Sequence, residues 1–166
     1  MSKAIVLVSG GMDSCVTTSI ASKQFSKLAL LHVNYGQLTQ QRELQAFKDI
    51  QNFYSIKDSL IIDMSQFNII GGSSLTDSNI PVSKTDLNNK KIPSSYVPFR
   101  NANILSSAVS WAEVINAKSI FVGAVEEDSS GYPDCRRSFF DAFEKAIDKG
   151  TKDDTKIKIE TPLIHL

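Results

Sequence analysis

The chain has 166 residues, 42% hydrophobic and 22% charged, a size and composition that fit one globular domain and exclude the disordered and fibrous classes. Eighteen basic residues balance eighteen acidic ones, so no general positive field exists to hold a nucleic-acid backbone or an anionic membrane surface. The two cysteines, Cys15 and Cys135, and the two histidines, His32 and His165, are too scattered for a spacing-defined zinc site or a disulfide framework.

The N-terminus, Met1-Ser2-Lys3-Ala4-Ile5, runs into a strand without a long apolar signal region. No run reaches the roughly 20 apolar residues of a membrane span, and the expected location is cytoplasmic. Residues 4–8 form a short apolar run that ends at a Ser-Gly-Gly turn, as a buried parallel strand does. Residues 13–24 follow as a helix with Val16, Ile20 and Ala21 as its apolar stripe, and residues 28–33 read as a second buried strand. Beyond the loop Asn34-Tyr35-Gly36-Gln37, the residues Ala46, Phe47, Ile50, Phe53 and Tyr54 recur at helical spacing, and 59–62 is a third strand.

Residues 64–95 break the rhythm with Ser, Asn, Asp and Lys, and a structureless stretch of this length is expected to be a mobile lid or a solvated insertion. The alternation then resumes. Ile104, Ala108, Ala112 and Ile115 share a helix face, 120–122 is a strand, Phe140, Phe143 and Ile147 mark another helix, and 156–160 is a last strand. Strands alternating with helices predict an α/β fold, a mostly parallel, doubly wound, Rossmann-like sheet of about five strands with helices on both faces. Neither an internal repeat nor a composition shift divides it, so 1–166 reads as a single domain with its ligands beyond the carboxyl ends of the strands.

The chemistry is carried by Ser9-Gly10-Gly11-Met12-Asp13-Ser14, directly after the first strand and at the start of a helix. Such a loop turns tightly, aims backbone N–H groups into one cavity and adds the positive end of the helix, which together make a phosphate cradle. Ser9 and Ser14 can donate hydroxyl hydrogen bonds to phosphate oxygens, and Gly10 and Gly11 allow close approach. Asp13 cannot bind phosphate itself; it either holds magnesium or caps the helix. The Gly-Lys-Ser/Thr ending of the Walker loop is absent, as is Gly-x-Gly-x-x-Gly, so ordinary phosphoryl transfer and dinucleotide binding are poorly supported.

These six residues match the PP-loop, and the chain resembles the N-type ATP pyrophosphatases, which have the adenine nucleotide alpha hydrolase-like fold and split ATP into AMP and pyrophosphate while adenylating a substrate oxygen. Three further segments stand where strands end or helices begin: His32-Val33-Asn34-Tyr35-Gly36-Gln37, Val97-Pro98-Phe99-Arg100-Asn101, and the stretch from Gly123 to Gly131-Tyr132-Pro133-Asp134-Cys135-Arg136. In this combination and order the chain resembles the 7-cyano-7-deazaguanine synthase family of queuosine biosynthesis. Gly-Tyr-Pro-Asp-Cys-Arg is the discriminating piece.

The resemblance implies a ligase that converts 7-carboxy-7-deazaguanine and ammonia, through an acyl adenylate and an amide, to the nitrile, with ATP and Mg2+ as its cofactors. It also implies a zinc-binding cysteine cluster toward the C-terminus, which is not found in these 166 residues, and a homodimer. ATP is then expected on Val8, Ser9, Gly10, Gly11, Met12, Asp13 and Ser14, with adenine and ribose near Val33, Asn34, Tyr35 and Gly36, chiefly on backbone groups. Asp13, Ser14, Arg100 and Arg136 are the candidate catalytic residues. A guanidinium offers paired donors to a carboxylate or phosphate, which makes Arg100 and Arg136 candidate anion contacts.

Asp134 could accept from the deazaguanine edge, and Tyr132 or Phe99 could stack on its face or simply pack in the core. Cys135 is read as lining the pocket, its pKa open to lowering by Arg136. Glu126, Glu127 and Asp128 could hold magnesium or orient ammonia, or could be a solvated acidic loop. Two other readings stay open. One is a different PP-loop enzyme, for example one adenylating a tRNA base, which the even charge balance disfavours. The other is a non-catalytic ATP-binding module.

Overall fold

A computed structural model describes residues 2–77, 79–81, 92–125 and 131–165. Five parallel strands form one sheet in the order β3-β2-β1-β4-β5. They are β1 (Lys3–Leu7), β2 (Lys27–Asn34), β3 (Asp58–Asp63), β4 (Ala117–Phe121) and β5 (Lys158–Glu160). The helices are α1 (Met12–Gln24), α2 (Gln40–Phe53), α3 (Gln66–Ile70), α4 (Arg100–Ile115) and α5 (Arg137–Gly150), with a short 3-10 turn at Pro133–Cys135.

The two central strands are buried on both faces, which is why KAIVL and KLALLHVN read as nearly unbroken apolar runs. Alternate residues of β1 serve two cores. Ala4, Val6 and Val8 pack with Ala21 of α1 and Phe47 of α2 on one face of the sheet, while Ile5 packs with Leu105 and Ala108 of α4 and Phe140 of α5 on the other. At the edge, β3 has lost this double burial, and Ile61 is exposed.

Three details differ from the sequence reading. The buried side of α1 is Ser14, Thr17, Thr18 and Ala21, while Val16, placed in the apolar stripe, is 43% exposed. The reason is close packing: a Cβ at Gly123, just after β4, would come within 3.0 Å of the Asp13 backbone and of Thr17 Oγ1, so only small side chains fit beneath this helix. On α2 only Phe47 is fully enclosed, and Phe53 is 81% exposed at the helix end. Residues 64–77 are not structureless: they contain α3, with Met64 and Phe67 in the core, and a turn in which buried Ser73 accepts the N–H of Leu75 on its hydroxyl and those of Thr76 and Asp77 on its carbonyl. Glu126, Glu127 and Asp128, and the Ser129 and Ser130 that follow, lie outside the described residues.

The chain leaves β1 toward β2 on one side, and β4 lies on the other, so β1 is the switch point at which the crossovers diverge. Loops leaving neighbouring strands in opposite directions open a crevice above their carboxyl ends, and the candidate site lies there.

Candidate active site

The cavity above β1, β2 and β4 has a volume of about 340 Å3. Its floor and one wall are Leu7, Val8, Ser9, Gly11, Asp13 and Ser14; Leu31, Val33, Tyr35 and Glu43 come from the β2 side, Val122, Gly123 and Ala124 from β4, and Arg100, Asn101, Ile104 and Cys135 close it from the far side.

The PP-loop is held in shape by its own side chains. Val8 donates its N–H to the Leu31 carbonyl at 2.8 Å, continuing the ladder one residue past β1. Gly10 then turns the chain at φ +89, a conformation in which a side chain is strained, and a Cβ there would lie 2.7 Å from the Glu43 carbonyl oxygen and 2.9 Å from Ala46 Cβ. Ser14 Oγ donates to the Gly11 carbonyl at 2.8 Å and accepts the Gly10 N–H at 3.2 Å, and Ser9 Oγ accepts the Gly11 N–H at 3.3 Å. Asp13 is exposed in the first turn of α1.

On the β2 side, Tyr35 is buried and its hydroxyl accepts from Arg100 Nη1 at 3.1 Å, with the guanidinium carbon 5.3 Å from the ring centroid. Burial raises the Tyr35 pKa, against the opposing pull of Arg100, so the phenol is neutral at ordinary pH. This side chain is an integral part of the wall. Asn34 and Gly36 do not line the cavity: the Asn34 amide lies 3.2 Å from Nε2 of buried His32, whose Nδ1 donates to the Val8 carbonyl at 2.7 Å, and Gly36 turns at φ +77 against Asn68.

The far wall joins two of the quoted motifs. Asp134 is buried and accepts the Asn101 N–H at 2.9 Å, while Asn101 Nδ2 donates to the Asp134 carbonyl at 3.0 Å and to Cys135 Sγ at 3.2 Å. Asp134 is thus bonded to the first turn of α4. Burial raises its pKa despite the Asn101 hydrogen bond and the nearby Arg100 charge. Cys135 lines the cavity, and burial, with the charge of Asp134, pushes its thiol up to about 11, opposite to the lowering that the neighbouring Arg136 left open.

Of the other candidates, Arg136 is exposed and caps α5, Met12 is exposed, and neither lines the cavity. Tyr132 shares a 2.6 Å hydroxyl hydrogen bond with Ser95, and its ring lies 5.5 Å from that of Tyr96. Phe99 is exposed with a left-handed φ of 56°, its ring 6.2 Å from Phe139. The cavity residues that sequence reasoning did not assign to the site are Leu7, Leu31, Glu43, Ile104 and Val122, together with the roles of Gln37 and Asn101. Gln37 and Asn101 lay within the quoted motifs, but Glu43 is one acidic residue at the start of an amphipathic helix and has no local signal.

The family model described as "Queuosine biosynthesis protein QueC" matches residues 3–166. The 7-cyano-7-deazaguanine synthase of Chloroherpeton thalassium is 60% identical over 164 residues, covering 99% of this chain and 73% of that relative. That of Chlorobaculum tepidum is 58% identical, with 99% and 72% covered. Among solved structures, a protein described as a predicted subunit of tRNA methyltransferase from Methanocaldococcus jannaschii superposes with a TM-score of 0.58 at 14% identity, over 99% of this chain and 69% of that one; it shares the fold. With a family model spanning nearly its whole length and relatives this similar, the chain belongs to the QueC family of queuosine biosynthesis proteins.

Proposed function

We propose that this chain converts 7-carboxy-7-deazaguanine and ammonia to 7-cyano-7-deazaguanine, with ATP split to AMP and pyrophosphate. The observation that carries this reading is the 60% identity, across 99% of the chain, to relatives with that activity in their name. The PP-loop cavity supports it with the chemistry that such a reaction needs.

The substrate carboxylate attacks the α-phosphorus of ATP, and pyrophosphate leaves into the loop. The backbone N–H groups of Gly10, Gly11 and the first turn of α1 receive it, and Ser9 and Ser14 rotate their hydroxyls from the loop to the phosphate oxygens. Arg100 balances the charge on the opposite wall. Ammonia displaces AMP from the acyl adenylate to give the amide; a second ATP then activates the amide oxygen, and loss of AMP leaves the nitrile. No covalent nucleophile is required, in keeping with a Cys135 thiol held neutral.

Magnesium suits the donor set: this ion takes one or two carboxylates together with phosphate oxygens, and Asp13 offers its carboxylate at the cavity wall. When bound it would neutralise phosphate charge. Zinc does not suit these residues. Cys15 is exposed, Cys135 is buried, and among the described residues no group of three His, Cys, Asp or Glu could hold a metal. In this reading the chain is one domain, the partners are small molecules and no nucleic acid, a second copy completes a homodimer, and the enzyme works in the cytoplasm. No helix among the described residues is long and apolar enough to cross a membrane.

The test is pyrophosphate release from ATP, with magnesium and ammonium, in the presence and absence of 7-carboxy-7-deazaguanine. Release that depends on the acid and falls by about a hundredfold in Asp13→Ala or Ser14→Ala is the expected outcome. Release driven by a different acid or by tRNA would assign the chain to another adenylating activity, and ATP binding without AMP formation would make it a binding module.

A further inference from the structure

Arg100 reaches the cavity from α4, but what aims it lies on two other elements. Its Nη1 donates to the Tyr35 hydroxyl, and its guanidinium lies over the Tyr35 ring. Tyr35 itself stands one residue beyond the end of β2, where the ladder no longer supplies a partner for its N–H. Gln37, 4% exposed, supplies one: its Oε1 accepts the Tyr35 N–H at 2.8 Å. The other end of the same amide donates to Glu43 Oε2 at 2.9 Å. Glu43 also accepts from Thr39, and its backbone carbonyl is the atom against which Gly10 of the PP-loop packs.

A buried amide that satisfies two partners on different elements fixes them relative to one another, because breaking either bond leaves a polar group unpaired in a dry setting. The chain of contacts therefore runs from the PP-loop through α2, Gln37 and Tyr35 to the arginine across the cavity. Pyrophosphate belongs to the loop, and the anion left for the opposite wall is the one that attacks.

We infer that Gln37 and Tyr35 are positioning residues that aim Arg100 at the carboxylate of the acid substrate, so that its oxygen meets the α-phosphorus of ATP held in the PP-loop. This rests on the synthesis proposed above. Neither residue touches the reacting atoms; both act through Arg100.

The experiment measures kcat and the KM values for the acid and for ATP in the intact enzyme and in Tyr35→Phe, Gln37→Glu, Arg100→Lys and the Tyr35→Phe/Arg100→Lys double variant, with a thermal melt of each. Tyr35→Phe keeps the ring and removes the acceptor. It raises the KM for the acid by about tenfold, as for a lost hydrogen bond to a charged group, with the KM for ATP changed less than about twofold. Gln37→Glu keeps the acceptor for the Tyr35 N–H but sets a carboxylate against Glu43, and it shifts the same KM in the same direction.

In the Arg100→Lys background Tyr35→Phe adds nothing, since two residues acting through one contact are not additive. An unchanged KM for the acid in both Tyr35→Phe and Gln37→Glu, an equal rise in both KM values accompanied by a lower melting temperature, or full additivity with Arg100→Lys would overturn the positioning role. A wild-type enzyme that does not respond to the acid would overturn the proposed synthesis itself, and with it the ligand assigned to Arg100.

Discussion

Two helices bring their first turns to the cavity, and they are anchored in opposite ways. The side-chain hydrogen bonds at the start of α1 come from residues within five positions of one another: Ser14 bonds Gly11 and Gly10, and Ser9 bonds Gly11. The start of α4 is held from far along the chain, by Asp134 on Asn101 and by Tyr35 on Arg100, across 33 and 65 residues. The local anchor leaves the loop's own hydroxyls free to exchange partners when phosphate arrives. The distant anchor makes the opposite wall depend on the packing of the whole sheet, because β2, α4 and the 3-10 turn must all be in place before it exists.

The largest expected effect breaks the local side. Gly10→Ala places a Cβ at a positive φ and within 3 Å of both the Glu43 carbonyl and Ala46 Cβ, neither of which is the end of a flexible side chain. Strain and overpacking together cost about 3 kcal/mol, read as a lower midpoint in urea denaturation. The displaced loop also lowers acid-dependent pyrophosphate release by about a hundredfold. Full activity in this variant would mean that α2 yields to the loop, and that the packing of the loop on α2 is softer than its contacts suggest.

The same division explains what could be read from the residues alone. The order of strands and helices was legible because β1, β2 and β4 are short apolar runs and α4 and α5 keep helical periodicity, all local patterns. The PP-loop was legible for the same reason. In the apolar stripe of α1, Ile20 and Ala21 pack on the core but Val16 does not, and part of the helix's packing is set by a glycine more than a hundred residues away, against which Thr17 lies. Asp134 and Cys135 were recognised as belonging to the site, but their partner Asn101 is a tertiary neighbour, so neither the bond to the α4 backbone nor the upward pKa shifts had a trace in the sequence.

The distant anchor is tested at Asp134. Asp134→Ala leaves the Asn101 N–H without its acceptor and costs about 1 to 3 kcal/mol of stability. Asp134→Asn keeps an acceptor and removes the charge, so it isolates the titration. The folded pKa lies above the ordinary 3.8, and for such an acid the stabilising contribution is present below 3.8 and is lost as pH rises through the raised folded value. The stability of Asp134→Asn relative to wild type therefore improves as pH rises from 3.8 and levels off above the folded pKa. A difference that instead turned against the variant over this range would show that the carboxylate gains more from Asn101 and Arg100 than it loses by burial.

The smallest expected effect concerns Arg136, the other candidate anion contact. Its side chain is exposed at the start of α5 and away from the cavity, whereas Arg100 is a cavity residue held by Tyr35. Surface substitutions of this kind stay within about 0.5 kcal/mol in stability, and Arg136→Ala is expected to keep acid-dependent pyrophosphate release within about threefold of wild type. A loss near the roughly hundredfold expected of Ser14→Ala would mean that the turn at Pro133–Cys135 swings Arg136 inward when ATP and the acid are bound. The distant side of the cavity would then be an arrangement completed by its ligands, and the Asp134 bond to α4 would be the hinge about which it closes rather than a fixed brace.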